Sequence, residues 1–438
     1  MSLTVTISWI TGCLVLAYPL LSRILKLGRK PERLSNADTT SQAGSHTLVV
    51  LGAGMAGVPL VHHLLKHTPA SVGLRVVLVS PNDELLWAYA TVRAILPDGF
   101  GDERIFHPLG PALAKYDSSK FEYVLGTAKH VDTQENQVVI STKDDEQLRT
   151  IDYDTLVIAT GSSYQDAMPF KNLADTAATK NEIHNLRNKI AAATSIVVAG
   201  AGQTGVEVAA ELGQVYGMAG TKDITLIADD ALPLWPEARS DVRQTVADEL
   251  AKLKVKIISN TRVLSATTQS DGRHSIVLAT SSKGNTDKAD TTATIVTDLY
   301  IPTFGVRPNT AFMAAAMLDR DGRIKVNRDT LQVSGHANVF ALGDAANAQT
   351  ATGKHADAQV RFLAPALQDL LAGRSMPMYK ADDTFVFAVT LGPNRGTGQM
   401  GNMRLWGWIV RMTICKYLGT DYAPEIAAGN RTITQKNW

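Results

Sequence analysis

Two glycine-rich turns carry the clearest chemical signal in this chain. They are Gly52-Ala53-Gly54-Met55-Ala56-Gly57 and Gly200-Ala201-Gly202-Gln203-Thr204-Gly205. Each follows an apolar run, Thr47 to Leu51 and Ser195 to Ala199, and each opens an alanine- and valine-rich stretch that reads as a helix. One GxGxxG alone is weak evidence, because glycine turns are common; two copies in strand–turn–helix context are much stronger. The first glycine allows the tight turn, the second lets backbone approach a pyrophosphate, and the third lets helix pack on strand. The pyrophosphate then sits at a helix N-terminus, where free N–H groups and the dipole favour an anion. Two such sites imply two dinucleotides and electron transfer from one to the other.

Other chemistries lack their residues. Cys13 and Cys415 are the two cysteines, and they form no CxxC pair and lie near neither fingerprint. That removes a dithiol reductase and a cysteine-based zinc site. His63 and His67 are spaced for one helix face but have no carboxylate partner in view, so no metal site is expected. A net charge of +1 implies no basic surface for nucleic acid. Composition is that of an ordinary globular protein, 45% hydrophobic and 19% charged.

The elements around the turns define an α/β chain with two Rossmann-like nucleotide domains, one inserted in the other. The first domain is expected at 46–170 and 295–378, the inserted one at 171–294, and a small C-terminal region at 379–438. Ile151 to Ala159 reads as a strand closing on Thr160-Gly161-Ser162, and Leu173 to Ala193 reads as a helix leading into the second fingerprint. Ile224 to Ala228 and Val255 to Ile258 read as strands of the inserted domain, and polar Ser281 to Thr294 as a hairpin loop. Val339 to Leu342 is a strand closed by Gly343-Asp344, and Phe385 to Thr390 alternates like another. Met403 to Leu418 mixes Trp406, Trp408 and Ile409 with Arg404, Arg411 and Lys416, a basic, aromatic, amphipathic segment.

The N-terminus has no charged side chain from Met1 to Ser22, and then carries Arg23, Lys26, Arg29, Lys30 and Arg33. Residues 1–28 read as a hydrophobic membrane anchor of marginal length, and 29–45 as a linker. Basic residues after the apolar stretch place the body of the protein in the cytosol. A mitochondrial presequence is the alternative.

The chain resembles the two-dinucleotide-binding-domain flavoproteins. It is most similar to the AMID branch (apoptosis-inducing-factor-like, also called ferroptosis suppressor), with type II NADH:quinone dehydrogenases as cousins. The resemblance rests on Val49 to Gly57, Leu156 to Ser162, Ile196 through Gly205 to Glu207, Gly305 to Pro308, Leu331 to Asp344, and Leu391 to Gln399. It implies that Gly52, Gly54, Ala56 and Gly57 hold the FAD pyrophosphate, with Thr160 and Gly161 beside them. Asp344 would bond the ribityl chain. Lys354, in Gly353-Lys354-His355, would lie near the isoalloxazine, and Arg93 would sit near the ring in a loop from Trp87 to Leu96. Gly200, Gly202, Gly205 and Gly305 would bind NAD(P)H, with Glu207 near the nicotinamide. Lys354 and Glu207 are thus the candidate catalytic residues.

Three departures from the pattern matter. The residue closing the second strand of the FAD domain is usually acidic; here it is Ser80, and Asn82 or Asp83 would substitute. The matching position of the inserted domain is Ala228, followed by Asp229 and Asp230 with no adjacent arginine or lysine, which favours NADH over NADPH. Ser2 closes the myristoylation route of animal members. The resemblance implies an FAD-dependent NADH oxidoreductase with a quinone as electron acceptor. An oxidoreductase of a secondary-metabolism substrate and a slow NADH-sensing interaction protein are the alternatives, and the oligomeric state stays open.

Overall fold

A computed structural model describes residues 46–142, 148–280 and 292–438. The expected anchor and linker lie outside them. Strands β1 (His46–Leu51), β2 (Leu74–Ser80), β3 (Phe121–Asp132), β4 (Gln137–Thr142), β5 (Leu148–Asp152) and β6 (Thr155–Ile158) start the first sheet. Helix α1 (Gly57–His67) lies between β1 and β2. β1 is bracketed by β2 and β6, both parallel to it, and β2 runs parallel to β3. Val49 and Val50 in β1 are fully buried although they point to opposite faces, as a strand covered on both sides requires. From β3 the pairing turns antiparallel through β4 and β5.

Helix α2 (Thr176–Ala192) carries the chain into a second sheet; its N-terminus is capped by Asp175, which accepts from Ala178 N at 2.7 Å. There β7 (Ser195–Ala199), helix α3 (Gln203–Leu212), β8 (Asp223–Ile227), helix α4 (Ser240–Lys252) and β9 (Val255–Ile258) repeat the first unit's beginning. β10 (Thr261–Thr268), β11 (His274–Thr280) and β12 (Thr292–Thr297) form an antiparallel layer of their own. β13 (Leu299–Pro302) then returns to run parallel to β7, giving the order β9-β8-β7-β13. The expected boundary at 294/295 therefore moves: Leu299 to Pro302 pair with the second fingerprint's own strand, so the second unit extends past them.

The chain re-enters the first sheet at β14 (Val339–Ala341), parallel to β6. Helix α5 (Gly353–Leu371) follows and packs on α1. A C-terminal sheet of β15 (Val386–Thr390), β16 (Gly396–Met400) and β17 (Met403–Leu405) leans on α3 and α4. The chain end closes over α1. Trp438 is buried, and its indole N–H donates to Pro59 O at 2.7 Å. No helix among the described residues is long and apolar enough to cross a membrane.

Candidate dinucleotide and electron-transfer site

The two fingerprints have the same geometry. Gly52 and Gly200 adopt φ of +108° and +100°, a backbone region that only glycine enters freely. A Cβ on Gly57 would lie 1.9 Å from Gly52 O, and one on Gly205 would lie 1.8 Å from Gly200 O. The middle glycines, Gly54 and Gly202, have nothing within 4 Å of that position. So each turn is sealed on the protein side and open on the other, a cradle that fits a pyrophosphate. Neither α1 nor α3 has a side-chain cap or an acid in its first turn. Their leading N–H groups remain for an anion. Thr303, just after β13, donates to Gly200 O at 2.8 Å and holds the second turn in place.

The first turn leans on the Thr160-Gly161 loop: a Cβ on Gly52 would meet Ala159 O at 2.4 Å. Thr160 Oγ1 donates to Asn309 O at 2.6 Å, and Asn309 returns a bond to Thr160 O at 3.0 Å. Asp344 follows β14. Its Oδ2 accepts from Ser162 Oγ at 2.7 Å and Lys171 Nζ at 2.8 Å. Burial would raise this carboxyl, but the Lys171 charge and these hydrogen bonds outweigh it and hold it below the usual carboxylate range. Asp344 lines a cavity of about 310 Å³ with Ser162, Pro308, Asp321, Arg323 and Ala351. At the end of β2, Ser80 Oγ accepts from Asn82 N at 3.1 Å. Asn82 is buried, and its Oδ1 has no hydrogen-bond partner among the described residues. A buried acceptor without a donor is costly, and a ribose hydroxyl would satisfy it. The open cradle and this orphaned oxygen fit FAD.

Lys354 lies in the first turn of α5, whose N-cap is Thr352. Its Nζ donates to Thr384 O at 2.7 Å. Burial pushes its pKa down to about 8, so it stays largely charged at neutral pH. Gly353 packs directly under the Tyr89 hydroxyl, where a Cβ would clash at 1.7 Å. Glu207 is buried on α3. Its Oε1 accepts from Thr390 N at 3.0 Å and Thr390 Oγ1 at 3.2 Å. Burial pushes its carboxyl up to about 7 against these bonds. Gln203, one turn earlier, donates to Ala388 O at 2.9 Å.

Arg93, expected beside the ring, is committed elsewhere. Its guanidinium forms a buried ion pair with Glu211 at 2.5 Å and donates to Lys416 O at 2.9 Å. It ties the loop after β2 to α3 and to the C-terminal region. Asp229 is exposed at the end of β8, as its place in the chain predicts. The absence of a nearby base does not hold in space: α4 brings Arg243 to 3.4 Å from Asp230. Gly305 adopts φ of +73° in the crossover between the two units, and its carbonyl accepts from Gln165 N at 2.9 Å. Sequence reading missed Lys171, Tyr89 and Thr390. Lys171 sits in no motif, whereas Tyr89 lies in the Trp87 to Leu96 loop that was read for Arg93 alone. Thr390 immediately precedes the Leu391-Gly392-Pro393 stretch, which was the available signal. Among the described residues no group of three His, Cys, Asp or Glu could hold a metal.

The comparisons agree with this geometry. The family model described as pyridine nucleotide-disulphide oxidoreductase matches residues 46–360. The chain is 34% identical to "Oxidoreductase ptaL" of Pestalotiopsis fici, over 87% of this chain and 99% of that protein. It is 25% identical to human ferroptosis suppressor protein 1, over 85% of this chain and 93% of that protein. NDH2 from Plasmodium falciparum has the same fold, with a TM-score of 0.65, 12% identity, and coverage of 87% of this chain and 99% of that one. The chain belongs to the pyridine nucleotide-disulphide oxidoreductase family.

Proposed function

We propose that the chain is an FAD-dependent NAD(P)H oxidoreductase that passes electrons from NADH to a quinone-type acceptor at a membrane surface. The observation that carries this reading is the strand β15. Just before it, Thr384 O accepts from Lys354, at the N-terminus of the first unit's long helix. Along it, Ala388 O accepts from Gln203 and Thr390 N donates to Glu207, in the first two turns of the second fingerprint's helix. One short strand thus fastens to both nucleotide units, and the two sites share it as a wall.

When bound in the first unit, FAD would supply the redox chemistry between NADH and the acceptor. The chain's residues orient and hold charge. Gly54 and Gly202 let backbone approach each pyrophosphate. Asp344, ionised and fixed by Lys171 and Ser162, would hold the ribityl hydroxyls. Asn82 Oδ1 would accept from the adenosine ribose in place of the missing acid at Ser80. Lys354 and the N-terminus of α5 would present positive charge to the flavin. Glu207, its pKa pushed up to about 7 by burial, is placed to exchange a proton near neutral pH. Asp229 favours an unphosphorylated ribose, hence NADH.

The acceptor side is supported by the C-terminal surface. Met403, Trp406, Trp408, Met412, Ile414 and Tyr417 are exposed. Arg404, Arg411 and Lys416 stand among them, with no acid between 403 and 420. Such a surface suits the headgroup layer of an anionic membrane. With an anchor at 1–28, the body would lie on the cytosolic face; a mitochondrial location is the alternative. The resemblance to type II NADH:quinone dehydrogenases favours a lipid-soluble quinone. A soluble metabolite as acceptor is the second reading.

An anaerobic absorbance titration tests the proposal. Flavin bands that bleach with NADH and return with a short-chain ubiquinone analogue are expected. Bleaching without return would remove the quinone and leave the metabolite reading. A flavin-loaded protein that NADH does not bleach would refute the NADH step.

A further inference from the structure

We propose that Asp230 and Arg243 form the device that reads the 2′ position of the nucleotide's adenosine ribose, with Asp230 holding Arg243 withdrawn so that a 2′-phosphate is rejected. This rests on the reading that the second fingerprint binds a nicotinamide dinucleotide.

Strands β7 and β8 run parallel in register from Ser195↔Asp223 to Ala199↔Ile227. They end together, and Gly200 N donates to Ile227 O at 3.1 Å. In this fold the ribose of a nucleotide lying on the fingerprint is met by residues that follow the second strand. Here those are buried Ala228, exposed Asp229 and half-buried Asp230. The chain then folds back onto the fingerprint: Leu234 N donates to Ala201 O at 2.7 Å. Backbone bonds from Asn260 N to Asp230 O and from Thr261 N to Ala228 O, at 3.0 and 2.8 Å, pin the loop to the neighbouring strand.

Arg243 reaches this loop from the first turns of α4. Its Nε donates to Pro233 O at 2.9 Å, its Nη2 donates to Leu232 O, and Nη2 lies 3.4 Å from Asp230 Oδ2. The side chain is 11% exposed. An arginine, the usual ligand of a 2′-phosphate, is therefore already in the ribose loop. It is turned onto two carbonyls and an acid. Asp229 and Asp230 put two carboxylates at the ribose loop, which favours ribose hydroxyls over a dianion. Removing either acid lessens the repulsion of a 2′-phosphate. Asparagine at 230 keeps an oxygen for the bond that Ala231 N now gives to Asp230 Oδ1 at 2.7 Å, so the loop retains its shape.

The test uses the full chain with FAD bound, so that the first nucleotide site is filled. Calorimetry compares ADP with 2′,5′-ADP. The wild type is expected to bind ADP at least about tenfold more tightly. Asp230→Asn should narrow that ratio about tenfold, by tightening 2′,5′-ADP rather than weakening ADP. Adding Arg243→Met to Asp230→Asn should abolish the gain. Asp229→Asn, a change at an exposed side chain, should narrow the ratio in the same direction and guards against a misfolded Asp230 variant. An unchanged ratio in Asp230→Asn, with ADP still bound at wild-type affinity, overturns the proposal and leaves the nucleotide site standing. A wild type that prefers 2′,5′-ADP overturns it too, since Arg243 is then not withdrawn. A wild type that binds neither ligand sinks the dinucleotide reading of the second fingerprint itself.

Discussion

Glu207 is an acid whose environment departs from its type. A glutamate normally ionises near 4.5, and burial moves this one to about 7. The folded state therefore holds the proton more tightly than the unfolded chain. That preference stabilises the fold below about pH 4.5 and is lost as pH rises through 7. Glu207→Gln, which keeps the size and the amide oxygen for Thr390 N, should flatten this part of the stability profile. Melting temperature against pH from 5 to 8 is the measurement. Parallel profiles for wild type and variant would show that the carboxyl is ionised throughout. The size of the effect is on the order of 3 kcal/mol at most. Asp344 is the opposite case, an acid held ionised by Lys171 and Ser162. Asp344→Asn removes the charge that pairs with Lys171 and, on the proposed role, a bond to the ribityl chain. The variant should purify with much less flavin than wild type, read as the ratio of flavin to protein absorbance. Full flavin content would remove Asp344 from the site.

At the scale of elements, the sites depend on joints between units. The Arg93–Glu211 pair is one: it links the loop after β2 to α3, and both side chains are nearly inaccessible. Breaking a buried pair from one side leaves an uncompensated charge, at a cost of about 3–5 kcal/mol. Arg93→Met should lower the free energy of unfolding in a denaturant titration by that amount, and Arg93→Met with Glu211→Met should recover most of it. A double variant as unstable as the single one would mean that the Lys416 carbonyl bond, not the pair, is what counts. The sequence named Arg93 but not its partner Glu211, because an ion pair across 118 positions leaves no local trace. Local chemistry was legible. The glycines of both turns, the strands before them and the Ala-Thr-Gly loop follow from rules acting over six to ten residues. Asp230 and Arg243 show the limit: in sequence they are far apart, and only the return of the chain through α4 makes them neighbours. The boundary at 294/295 failed for the same reason. Nothing in Leu299 to Pro302 says which of two parallel sheets a short apolar strand will join.

One side of the whole molecule stands apart. There β17 and the helical turns after it carry six exposed large apolar residues from Met403 to Tyr417, with three bases among them. Tryptophan and arginine of this kind favour the interface between headgroups and water. A quinone dissolved in a bilayer reaches a soluble body only where the body touches the bilayer, so this side bears on the acceptor. On the proposed reading residues 1–28 would be a second tether, and the two make separable predictions. With residues 1–45 removed, the protein should still sediment with vesicles containing anionic lipid, and binding should weaken as salt screens the basic residues. Trp406→Ser with Trp408→Ser should abolish that residual binding and lower turnover with a long-chain quinone in vesicles. Turnover with a short, water-soluble quinone should be unchanged, since both indoles are exposed. Equal loss with both quinones would mean that the aromatic segment supports the active fold instead. Undiminished binding to neutral vesicles at high salt would mean that burial of apolar side chains alone, without the basic residues, holds this side to the membrane.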